Sequence, residues 1–203
     1  MWAYVKDGKI QQVNVVQTRL EINPGSYFPN KYAVEWTPEQ KKAYGVYEVE
    51  TDATNFKDKE YYVNKNETFA YDSSADKVTR SWGTATAKSL ADVNFTQADQ
   101  DAGLGTKDEL NYRGLTYTHK ERVSHQAYTL LLPSDWYAAR KAETGTAIPS
   151  TIATYRAAVR TKAADMHTKI DAADTVDKLA ALYVYNTDNP PVRPLGEWPD
   201  PVE

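Results

Sequence analysis

The spacing of apolar residues changes partway along the chain, from every second position to every third or fourth, and this change constrains the fold more than any other feature. Before about residue 95 the apolar side chains stand in short runs: Met1 to Val5, Gln11 to Val16, Tyr44 to Glu50, Lys59 to Val63, Glu67 to Tyr71 and Val78 to Trp82. Each run is rich in Val, Tyr, Phe or Trp, the side chains that fit a half-buried pleated surface, so the runs predict strands. After Tyr117 the period becomes helical. The expected fold class is therefore α+β, with an N-terminal antiparallel β-rich domain followed by a C-terminal helical hairpin or small bundle.

Turn chemistry divides the strand half. Asp7-Gly8 lies between two alternating runs and predicts a tight hairpin, because both central positions of a type I′ turn need positive φ. Asn23-Pro24-Gly25 and Asn64-Lys65-Asn66 punctuate later runs. Thr37-Pro38-Glu39-Gln40 predicts a short helix, with a hydroxyl N-cap, proline at the first helical position and Gln40 completing a capping box; Gly45 ends it. Residues 96–115 carry Gly103, Gly105, Gly114 and four acids, and read as a linker or long surface loop. The expected layout is a β-rich domain over 1–95, that linker, a helical domain over 116–189 and an extended proline-rich tail over 190–203.

Within the helical half, Val123, Ala127, Leu130 and Leu131 share one face, and Pro133-Ser134 separates that helix from a second running from Trp136 to Glu143. Thr144-Gly145 ends the second. From Pro149 or Ser150 onward, Ile152, Tyr155, Val159, Ala163, Met166 and Ile170 recur at helical spacing over about five turns, a stripe that has to be covered. Asp174 with Asp177 offers a cap for a fourth helix carrying Val176, Leu179, Leu182 and Tyr183, which Asn189-Pro190-Pro191 ends.

Composition narrows function. The chain has 203 residues, 41% of them apolar, and 24 aromatic residues made up of 15 Tyr, 5 Trp and 4 Phe, enough to build a core. The aromatics of the first half are expected to fill a thin core and its cross-strand pairs rather than to form a sugar-stacking face. A net charge of −4 gives no long-range attraction to nucleic acid or anionic lipid, and the helical half, with nine bases against eight acids over 116–189, is nearly neutral. No apolar run is long enough for a bilayer span and Met1 to Lys9 contains no secretion signal, so folding in the cytoplasm of the cell that makes it is expected. The chain has no cysteine, which removes disulfides, thiolate metal sites and cysteine nucleophiles.

Searching for chemistry finds little. His119, His125 and His167 stand in no metal-ligand spacing and are expected to be solvated or on helix surfaces. Asp99 to Gly103 begins like a calcium loop, but Leu104 and Leu110 occupy the sixth and twelfth positions where glycine and a glutamate ligand belong. Gly103-Leu104-Gly105-Thr106-Lys107 lacks phosphate-loop spacing, and a Ser/His/Asp set has no motif-like context. Paired carboxylates for glycoside hydrolysis leave no signature in sequence spacing. The expectation is a protein with no catalytic residue, cofactor or metal. Its candidate interface or anchor residues are Trp136, Arg140, Tyr155, Arg156, Arg160 and Trp198. Arg156 and Arg160 are one helical turn apart and suit a carboxylate, with pairing inside the chain favoured over a partner.

The run from Pro133 through Ser134-Asp135-Trp136, Arg140, Glu143, Gly145 and Pro149, followed by Tyr155-Arg156 and Val159-Arg160, resembles the carboxy-terminal module of phage tail fibre assembly and tail-associated proteins. Met1-Trp2-Ala3-Tyr4-Val5 and Arg193 to Pro199 also resemble proteins of tailed phages of marine bacteria. The resemblance implies a virion structural protein of the tail, baseplate or fibre, working as an adaptor by protein–protein contact in a symmetric homo-oligomeric assembly. A tail fibre assembly chaperone is the alternative, and a carbohydrate-binding receptor module a third reading. As a helical hairpin the module is expected to use Trp136 as an apolar anchor, with Gly145 and Pro149 setting a tight connection.

Overall fold

The computed structural model describes residues 1–14, 21–27 and 35–201. The last two residues of the run expected over Gln11 to Val16, and the end of the tail, lie outside them. The chain is mixed α+β, and it divides into two compact units, Met1–Thr86 and Ala87–Glu203.

The first unit is built on strands β1 (Trp2–Lys6), β2 (Lys9–Val13), β3 (Glu21–Asn23), β4 (Ser26–Tyr27), β5 (Val46–Thr51), β6 (Tyr62–Val63), β7 (Thr68–Asp72) and β8 (Lys77–Ser81). Asp7 and Gly8 join β1 to β2 with φ of 54° and 73°, the left-handed pair that the hairpin requires. Asn23-Pro24-Gly25 connects β3 to β4 in the same antiparallel sense. Helix α1 (Pro38–Ala43) carries the expected capping box, the Thr37 hydroxyl accepting from the Gln40 N–H while the Gln40 side chain accepts from the Thr37 N–H at 2.8 Å.

Five of these strands form one sheet in the order β2-β1-β5-β8-β7. Its ladders are antiparallel except one. β5 and β8 run parallel, Val49 facing Val78, because β7 and the turn after it return the chain to β5 in the direction it left. An all-antiparallel sheet was expected, and this pair corrects it. Parallel pairs need a long crossover, here residues 52–76, whose loops are held by Asn55 donating to Trp82 O and Asn64 pairing with the backbone of Lys57. The core beneath is Ala3, Val5, Val49 and Val78, with Tyr47, Phe69 and Tyr71 packed against it. The aromatic strand residues thus serve as core lining, as alternation predicts. At the sheet margin Tyr71 donates to Asp76 at 2.9 Å and Lys42 pairs with the same carboxylate at 2.9 Å. The Lys42 bond, then the two tyrosine hydroxyls, hold the Asp76 carboxyl below its usual range.

Strand β9 (Thr86–Ala87) lies across the division, and the second unit continues with β10 (Val93–Asn94), helix α2 (Gln97–Asp101), β11 (Leu110–Tyr112), α3 (Leu115–Leu131), a 3₁₀ turn over Leu132–Ser134, α4 (Asp135–Thr144), α5 (Ser150–Asp171) and α6 (Val176–Ala181). The segment expected as a linker, residues 96–115, is ordered structure. β10 pairs with β11, and α2 has its own capping box between Thr96 and Asp99. Glycine density misleads here, because these glycines answer steric demands. At Gly114, the N-cap of α3, an added Cβ would overlap the Leu90 carbonyl oxygen and the Ala91 carbonyl.

That crowding reflects how α3 begins. The Gly114 N–H donates to Asp92 at 2.8 Å, Leu115 N–H to Ser89 O at 2.9 Å and Thr116 N–H to Leu90 O at 3.1 Å, so three donors of the helix start that have no partner within the helix are met. The Gly114 bond, then the Arg113 side chain, hold the Asp92 carboxyl below the ordinary carboxylate range. Residues 87–95 therefore belong with the helices, and the division of the chain falls ahead of the boundary expected near residue 95.

α3 and α5 are antiparallel neighbours, as three contacts along them establish: Lys120 with Asp171, Ser124 with His167 and Leu131 with Arg156. Leu115, His119, Val123 and Ala127 of α3, Val159, Met166 and Ile170 of α5, and Val176 and Leu179 of α6 are all buried. The expected stripe on α5 is real at its C-terminal end, where Val159, Met166 and Ile170 are fully buried. The cap of α6 is Thr175, whose hydroxyl accepts from the Lys178 N–H, and not Asp174, which pairs with Lys178 instead. His119 corrects the surface reading of the histidines, since it is fully buried with Nδ1 2.7 Å from the Tyr183 hydroxyl. The proline-rich tail folds back: Leu195 is buried and its N–H donates to Leu182 O at 2.9 Å.

Because the atoms facing Gly114 are backbone and cannot step aside, Gly114→Ala is expected to lower stability by about 1–3 kcal/mol, the usual range for overpacking, measured by thermal melting.

Candidate functional site

The residues singled out in the sequence gather where α3 gives way to α4 and α5. Arg156 is the centre of this region and its side chain is only 7% exposed. One guanidinium nitrogen, Nη1, donates to Leu131 O at 2.9 Å and to the buried Ser134 hydroxyl oxygen at 2.6 Å. The other, Nη2, meets Asp135 Oδ1 at 2.8 Å. Ser134 in turn donates to Leu131 O at 2.8 Å. The cation therefore sits on the carbonyl end of α3, where the helix dipole favours positive charge, and holds the first residue of α4. Arg156 is thus paired inside the chain, as expected. Arg160, one turn on, is exposed, so the two arginines do not share a carboxylate.

Above this buried clamp lies an aromatic surface. Every side chain of α4 is at least partly exposed, and Trp136 is 51% exposed. That corrects its expected role as a core anchor: α4 is a bridge between α3 and α5, and its tryptophan projects from it. The ring is nonetheless held. It stacks on Tyr137 with centroids 3.8 Å apart, and the Arg140 guanidinium lies 4.7 Å from its centre, a cation–π arrangement. Arg140 thereby joins the site as a partner of the rings. Tyr128 and Leu132, both half exposed or more, are large apolar side chains of the same helix turn that the sequence reading missed. Their periodicity along α3 is the same as that of core positions, so spacing alone does not separate the two faces.

A groove of about 480 Å³ runs beside these rings, lined by Leu130, Pro133, Trp136, Tyr137, Ile152 and Tyr155. The upper part of the α5 stripe, Ile152 and Tyr155, thus lines a groove instead of filling a core. Pro201 forms one rim of it, and Pro199 with Asp200 borders the adjoining hollow over Ser150, Thr154 and Tyr155. Trp198 reaches α3, its indole N–H donating to Gln126 at 3.2 Å. The structure therefore unites Trp136, Arg140, Tyr155 and buried Arg156 in one region, with Trp198 leading the tail toward it.

A larger cavity, about 590 Å³, opens beside Asp92, Thr116, Lys120, Ser124 and His167. Three of its polar side chains are engaged within the chain: Asp92 with Arg113, Lys120 with both oxygens of Asp171, and His167 Nε2 with Lys120 O at 3.1 Å. Among the described residues no three His, Asp or Glu side chains gather as a metal-ligand set, and no helix is long and apolar enough to cross a membrane. No family model, curated protein or solved structure matches the chain.

With the Trp136 ring half in solvent, Trp136→Ala is expected to change the unfolding free energy by under about 1 kcal/mol, against about 3–5 kcal/mol for a buried tryptophan. Urea denaturation of the full chain measures the difference.

Proposed function

We propose that the chain is a structural protein of a tailed bacteriophage particle, a tail, baseplate or tail-fibre adaptor that works by protein–protein contact and not by catalysis. The observation that carries this reading is the Trp136, Tyr137 and Arg140 cluster, held rigid over the buried Arg156 clamp yet open to solvent. Trp, Tyr and Arg are the residue types that dominate binding energy at protein interfaces, and rings already fixed in place lose little conformational entropy when a partner covers them. The phage context comes from the resemblance of the Ser134-Asp135-Trp136 to Tyr155-Arg156 pattern to tail-associated modules; Asp135 and Arg156 of that pattern are paired with each other.

In this reading the partners are other tail or fibre subunits, and the chain reaches the virion from the cytoplasm of the infected cell. Repeated identical contacts close on a cyclic axis, so a homo-oligomeric ring is the expected setting. Mass spectrometry of purified, salt-washed particles is expected to find the chain at fixed stoichiometry with the other tail proteins. Its absence from particles together with its presence on unassembled fibres would replace this reading by that of an assembly chaperone.

A further inference from the structure

The aromatic groove and the C-terminal tail are complementary to each other. From Trp136 to Lys162 the chain that forms the groove carries five basic residues and one acid. Arg156 is paired with Asp135 and Lys162 with Asp165, which leaves Arg140, Lys141 and Arg160 against Glu143 around the groove. From Gly196 to Glu203 the tail reads Gly-Glu-Trp-Pro-Asp-Pro-Val-Glu, with three acids and no base. Its two prolines flank Asp200, a spacing that keeps the backbone extended, and extended proline segments dock in aromatic-lined grooves.

Within one copy the tail runs along α5. Lys169 Nζ donates to Leu195 O at 3.4 Å, and Lys162 Nζ stands 3.0 Å from where a side chain on Gly196 would begin. Asp200 then lies over Ser150, Thr151 and Thr154 at the N-terminal end of the same helix. Pro201 arrives only at the rim of the groove, and Trp136 stays half exposed. The tail of the same copy therefore reaches the groove without covering its principal ring.

We infer that the groove lined by Trp136, Tyr137 and Tyr155 seats the acidic, proline-flanked C-terminal segment of a second copy of this chain. This rests on the reading of that face as a contact surface and names its occupant. In its own copy the tail from Leu195 to Pro201 lies along α5 and borders this same groove, so its seating on a second copy is an exchange of tails between copies, association by swapping an identical element. Arg140 supplies charge beside the rings; Glu197 of the tail is paired with Arg193, and Asp200 and Glu203 supply the carboxylates.

The test uses the full chain. A fluorescein-labelled synthetic peptide of the sequence from Gly196 to Glu203 is titrated in and followed by anisotropy, and self-association is followed by sedimentation velocity into the high micromolar range. Saturable peptide binding is expected, weakened about tenfold or more by Trp136→Ala or by Tyr137→Ala, each checked for an unchanged melting curve. Oligomers that grow with concentration, that dissociate when unlabelled peptide is added and that are lost in Trp136→Ala are expected as well. A chain that stays monomeric, or peptide binding indifferent to both ring substitutions, overturns the inference. Peptide binding by a chain that never self-associates also overturns the second copy as occupant, while the particle measurement separately decides whether the chain is a virion component.

Discussion

Arg156 enters the interior of the helical unit as a cation, and it stays there because three acceptors in the short stretch from Leu131 to Asp135 converge on it. The Leu131 carbonyl ends α3, the Ser134 hydroxyl belongs to the 3₁₀ turn and the Asp135 carboxylate starts α4. A buried guanidinium without such partners would cost several kcal/mol, so α5, the turn and α4 settle together or the charge is left unpaired. Ordinary helix packing does not fix where a short exposed helix such as α4 points, since none of its side chains lies in the core. The clamp does so from its first residue. Trp136 and Tyr137 are the next two residues, and their exposure is a consequence of that geometry.

The remainder of the unit serves the same end. α3 starts from a fixed point because Asp92 and the backbone of residues 89 and 90 occupy its first donors, and it lies against α5 through Val123, Ala127, Val159 and Met166. The tail, tied by Leu195 to Leu182, runs along α5 toward the rings. Stable packing at one end of the helix pair thus supports a surface at the other end that the chain by itself leaves open. The strand unit is organised differently, around a small Val and Ala core overlaid by tyrosines, with its polar margin held by Asp76.

Elements whose signal is local were legible in the sequence. The Asp7-Gly8 turn, the Thr37 capping box and the long periodic helix from Ser150 onward all depend on residues within a few positions of one another. Features set by distant contacts were not. The parallel pairing of β5 with β8 depends on how a crossover closes, and nothing in either strand records it. Residues 96–115 look like a linker by their glycines, yet Gly114 is there because backbone from residues 90 and 91 presses against it. Trp136 looks like an anchor because large rings usually are. Its exposure follows from the Arg156 clamp, which joins residues more than twenty positions apart. The pairing of Arg156 within the chain was anticipated from its type, whereas its two non-carboxylate partners were not.

The central claim is that Arg156 and the turn before α4 act as one unit, and a double-mutant cycle measures it most directly. Arg156→Met, Ser134→Ala and the double variant are compared with the unaltered chain by urea denaturation. Both side chains are buried and in direct contact, so a coupling of about 1 kcal/mol or more is predicted, within the range found for residues sharing one network. Effects that add to within about 0.3–0.5 kcal/mol would contradict the account, because independent sites behave that way.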